Sequence, residues 1–260
     1  MINDSEKVTR IKQYQLYFDA CSKLDKCMEQ VLSENSAKLQ LARKNKERDF
    51  GLLACALFGK ANKTFEAVVE LCALGFGEDT LILLRSNLNL AIDFLYILED
   101  DSVERAADCV ANGHNEQMKF LTQNNHSLPK WSQHLKMDQI KIRANRWRKS
   151  SIKTRAEKAA KLSHYQLGYS FYSSLAHSDA RALSSYIEEN SVSGLMVQCS
   201  PSDKFVHIAL VDNFRLMADV FQGLCSCFGI DTKHAFEGIK EIWKGLGHDM
   251  SRLRNLRKAR

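Results

Sequence analysis

Along most of this 260-residue chain, apolar positions recur every three or four residues with polar positions between them, the period of helices packed on a core. The clearest case is residues 78–99, where Leu81, Leu84, Leu88, Ala91, Leu95 and Leu98 form one stripe. Glu78 and Asp79 stand at its start, where acidic groups complement the helix dipole. The same period predicts helices over residues 5–35, over a second stretch ending at Gly75 or Gly77, and over 102–122. Glycine there suits the left-handed position that closes a helix. Residues 43–49 read as a charged connection and 123–129 as a loop. Basic helical segments follow over 130–161, then an aromatic helix over 162–176 and a short helix over 179–189. Residues 190–202, broken by Gly194 and Pro201, read as irregular with room for a short strand. Two long helices, 203–228 and 231–257, close the chain.

Such a string predicts an all-α fold, an antiparallel bundle of about eight helices in one domain spanning 1–260. Two prolines are too few for an all-β chain built on turns. With 45% hydrophobic and 26% charged residues the chain has enough apolar surface to fold, which excludes disorder. The eight cysteines form no CxxC pair and lie mostly in apolar helical stretches, as thiols do in a reducing compartment. The polar first ten residues lack an apolar signal core, and no uncharged apolar run is long enough for a membrane span. The expectation is a cytoplasmic protein without a membrane partner.

Chemistry enters as polar positions on apolar helices. Arg85, Asn89 and Asp93 are spaced by four, so they share one side of a helix, with Tyr96 beyond them. An inward guanidinium needs a carboxylate, a carbonyl or a bound anion. Arg85 and Asp93 therefore form a structural network, or Arg85 is a phosphate ligand beside Asn89 and Asp93. A second helical face carries Tyr169, Ser170, Ser173 and His177. His177 at a helix C-terminus is favoured electrostatically, and it is equally a candidate proton-transfer group oriented by Ser173. No third group is placed to complete a nucleophilic triad. Metal-ligand spacings and phosphate-cradling glycine loops are both absent, so no metal and no cofactor are expected.

Three motifs in order carry a resemblance. Gly77 to Asn89 with its Leu84-Arg85-Ser86 core, the basic stretch around Trp147, and Tyr172-Ser173 through His177-Ser178 resemble the bacterial domain-of-unknown-function family numbered 5677. The resemblance covers roughly residues 50–187, leaving 203–258 as a C-terminal helical hairpin. It implies a helical fold and brings no activity with it. The family pattern places an acidic residue four after the arginine, where this chain has Asn89.

Charge is unevenly distributed. Residues 141–161 hold nine basic residues against Glu157 alone, a local excess of eight in a chain whose net charge is +6. Such a run suits RNA or another polyanion, with Arg146, Trp147 and Lys149 as contacts and Trp147 free to stack on a base. The expected function is a nucleic-acid-contacting helical protein. With Arg85, Ser173 and His177 as catalytic residues it would be a metal-independent ribonuclease in phage defence or stress, of HEPN-like architecture and acting as a homodimer. The HEPN signature, an arginine followed closely by a histidine, is absent: eight residues separate Arg105 from His114 and Arg155 from His164. The alternative is a non-catalytic binding or scaffold module for a protein or a phosphorylated ligand.

Overall fold

A computed structural model describes residues 4–42, 48–99, 102–127, 136–161, 164–176, 186–190, 194–197, 200–232, 237–242 and 244–246. Among them the fold is an all-α bundle with one small hairpin of strands. The N-terminal stretch forms α1 (Asp4–Gln13), α2 (Gln15–Glu34) and α3 (Ser36–Ala42). The expected single first helix is thus divided at Tyr14, whose φ of −110° and ψ of 29° leave the helical region. Next come α4 (Arg48–Leu74), α5 (Gly77–Glu99) and α6 (Ser102–Gln123), each within a few residues of its expected bounds.

The chain continues through α7 (Met137–Lys149) and α8 (Ile152–Lys158) to a π-helical turn, Tyr165–Tyr169, that runs directly into α9 (Ser170–Ala176). β1 (Ile187–Asn190) and β2 (Gly194–Val197) pair antiparallel with Ile187 opposite Val197. The strand corrects the short helix expected to run through residue 189. Gly194, at a φ of +78°, starts the returning strand, and the β-branched pair Ile187 and Val197 closes the ladder. Finally α10 (Val206–Cys227) recrosses the molecule, and the described part of the last helix lies within 237–246.

The centre is α4, α5 and α10 packed on one another, with α2 against α10. Phe65 and Val68 from α4, Leu81, Leu84 and Phe94 from α5, and Leu210, Phe214 and Phe221 from α10 are all essentially inaccessible. Each such side chain contributes about 2 kcal/mol relative to exposure. α5 is long and apolar enough to cross a membrane, and in this fold it is the central core helix, packed by α4, α8, α9 and α10.

The turn between α4 and α5 explains both glycines there. Gly75 has a φ of +88°, as expected after a helix, and a Cβ on Gly77 would lie 2.0 Å from the Lys204 carbonyl oxygen. Arg10 locks this corner, donating to Asp203 at 2.6 Å and to the Ala73 carbonyl at 3.1 Å. A smaller second cluster gathers Tyr96, Ile97, Ala106, Trp147 and Ala159 at the far end of α5.

Candidate functional site

The polar strip of α5 divides into two halves of opposite character. Asp93 does not meet Arg85. It accepts from the Arg155 Nε at 2.6 Å, an arginine delivered by α8. That guanidinium also donates to the carbonyls of Trp147 and Ser150 and lies 4.6 Å from the centre of the Trp147 ring. Burial raises the Asp93 carboxyl, and Arg155 partly offsets the rise. This half is a completed structural pair that fastens α8 to α5.

Arg85 has a different environment. Its Nη2 donates to the Tyr169 hydroxyl at 3.3 Å, and its guanidinium carbon sits 5.3 Å from the centre of that ring. Tyr165 stacks on Tyr169 at 4.7 Å, fixing the ring from behind. The Arg85 Nε is buried with no hydrogen-bond partner, and so are the Asn89 Oδ1 and the Ser173 Oγ. α9 packs directly on α5, so the structure brings Arg85 and Tyr169 together with unsatisfied groups from both helices. His177 lies outside the described residues, as do Ser178 and Asp179. The guanidinium N–H, the hydroxyl and the amide oxygen are each left with unused hydrogen-bonding capacity.

Residues on either side of the π-helical turn present a second face toward α10, a face the sequence reading missed. Tyr172 donates to Asp212 on that helix, and burial together with that carboxylate pushes its phenol upward. The Lys161 ammonium donates to Asp219 at 2.6 Å. His164, with its Nδ1 buried and unpartnered, has its protonation suppressed first by burial and then by the charges of Arg215 and Lys161. Asp212, Arg215 and Asp219 repeat on apolar α10 at three- and four-residue spacing. That is the signal that exposed the α5 strip, and it is equally visible in the sequence.

Part of the basic run is answered from within the fold. Arg146 donates to Asp108 at 2.8 Å and to Glu104 at 3.3 Å, and Arg143 reaches the same two carboxylates. The Glu104 carboxyl is held below its usual range by the Arg143 hydrogen bond and charge. Trp147 is only 7% exposed, with Arg155 on its ring and Tyr96 at 5.9 Å. The ring expected to stack on a base is thus largely enclosed by side chains of the fold. Lys149 is exposed. The described residues contain no His, Cys, Asp and Glu group suited to a metal.

An all-α bundle with a polar seam between its central helix and an aromatic π-helical segment is the architecture that results. The chain belongs to a family of unknown function, DUF5677, whose sequence pattern matches residues 51–194, more than half of its length. No curated protein and no solved structure matches it.

Proposed function

We propose that this protein is a ligand-binding helical module that takes the phosphate, or an equivalent oxyanion, of a small phosphorylated ligand at Arg85. The observation that carries this reading is the Arg85 Nε, buried without a partner while the carboxylate of its own helix is taken by Arg155. A guanidinium left in this state is costly, and an anion accepting from it removes the cost. Tyr169 and Ser173 add hydroxyl donors, and Asn89 offers an acceptor for a ligand hydroxyl or N–H. Asn89, one turn from Arg85 and neutral, leaves Arg85 free of a competing carboxylate at that position. The internal pairing of Arg143 and Arg146 favours such a ligand over an extended nucleic acid.

Calorimetric titration of inorganic phosphate and of a nucleoside monophosphate tests this. Wild type is expected to bind, and Arg85→Met to bind at least about tenfold more weakly with unaltered circular dichroism. Equal binding by the variant removes Arg85 from the site. Labelled RNA is the second arm. Cleavage by wild type that folded Arg85→Met and His177→Ala both lose would replace this reading with a ribonuclease.

A further inference from the structure

The Arg85 Nε, the Asn89 Oδ1 and the Ser173 Oγ have no partner, and they also have virtually no surface open to water. Two belong to α5 and one to α9, so they are enclosed where those helices pack together. An anion reaches them only when that seam parts. α5 is the central core helix and is held on several sides. α9 is seven residues long and carries Ser170 and Phe171 exposed on its outer side. The side that moves is therefore α9.

The polar attachments of α9 and its turn are specific. Toward α5, Arg85 donates to the Tyr169 hydroxyl at 3.3 Å, longer than such bonds usually are. Toward α10, Tyr172 donates to Asp212. That tyrosine is buried, and a hydrogen bond to a carboxylate is among the stronger ones a side chain makes. α9 follows without a break from the π-helical turn Tyr165–Tyr169. Such a turn bonds five residues along instead of four, so it carries one residue of slack. Passing that residue along the chain turns the helix beyond it by about 100°. Gly168 lies in the turn, and a Cβ there would stand 3.0 Å from the Tyr172 ring. Its missing side chain gives the turn freedom and makes room for the ring.

We infer that α9 is a lid over Arg85, hinged at the π-helical turn and latched shut by the hydrogen bond from Tyr172 to Asp212. The inference rests on the reading of Arg85 as an oxyanion site. Closed, the Tyr169 hydroxyl takes one guanidinium N–H and the seam excludes the ligand. The affinity measured for a ligand is then the intrinsic one reduced by the fraction of open molecules.

Tyr172→Phe keeps the ring on Gly168 and removes the hydroxyl, and Asp212→Asn weakens the same bond from α10. Hydrogen exchange on the full chain should show residues 165–176 exchanging at least about tenfold faster in both variants, with 77–99 and 206–227 unaltered. Inorganic phosphate, titrated by calorimetry, should bind each variant at least about fivefold more tightly than wild type. Exchange over 165–176 that stays at the wild-type rate in both variants overturns the lid. So does phosphate binding by wild type that both variants leave unchanged or weaken, the mark of a merely structural bond. Faster exchange over 165–176 with no phosphate bound by wild type or variants would keep the latch and strike the ligand at Arg85, so the two claims fail separately.

Discussion

Arg155 and Arg85 both place a guanidinium against the polar strip of α5, and they end in opposite conditions. Arg155 has a carboxylate, two carbonyls and an aromatic face. Arg85 has one phenol and an Nε with no partner. Both guanidiniums lie against a helix that is mostly core, so burial alone does not separate them. The separation comes from which position on the strip is acidic. Asp93 is, and it is used up by an arginine from another helix. Asn89 is neutral, so the arginine on its own helix keeps an unmet demand. A completed guanidinium is a fastener, and the incomplete one is what the proposed ligand site rests on.

The largest expected effect is on the completed side. Arg155→Ala leaves Asp93 largely buried without its counter-charge, and should lower unfolding free energy by about 3–5 kcal/mol in urea melts. A loss under about 1 kcal/mol would make the two arginines equivalent and dissolve the contrast. The pH dependence sharpens it. The Asp93 carboxyl is raised in the fold, so its contribution is present below the unfolded value and is lost as pH rises through the folded one. Removing Arg155 removes the offset, so the deficit of Arg155→Ala should be greatest near neutral pH and narrow on acidification.

On the open side, Asn89→Asp supplies the missing carboxylate one turn from Arg85. It should change stability by no more than about 1 kcal/mol, upward, and abolish phosphate binding through charge repulsion. Smallest of all is the stability effect of Arg85→Met. Its Nε has nothing to lose, so urea melts should stay within about 1 kcal/mol of wild type. A much larger loss would show that Arg85 is as structural as Arg155.

How far the chain could be read in advance follows the same physics. α4, α5 and α6 were legible almost to their ends because long apolar stripes, Gly75 and the acidic start of α5 all act locally. The strip of Arg85, Asn89 and Asp93 was legible as a strip, since spacing by four fixes a common face. Its division was not, because Asp93 is claimed by Arg155, sixty-two positions away, and no local pattern encodes that partner. The internal pairing of the basic run was hidden for a related reason. Counting charge along one segment omits Glu104 and Asp108, which return from the helix packed beside it. The π-helical turn escaped because helical spacing assumes an unbroken period, whereas the face of Asp212, Arg215 and Asp219 on α10 was open to the same spacing argument.

The corner closed by Arg10 and Asp203 bears on where this protein can be cut. Both residues lie outside the stretch 51–194 that carries the family pattern, and so does α10, which fills the space between α4 and α5. A fragment trimmed to the family boundaries would turn Phe65, Leu81, Leu84 and Phe94 outward to water and leave Gly77 facing nothing. The segment that defines kinship and the segment that can stand alone are different lengths of the same chain, and expression designs should keep α1, α2 and α10 with the rest.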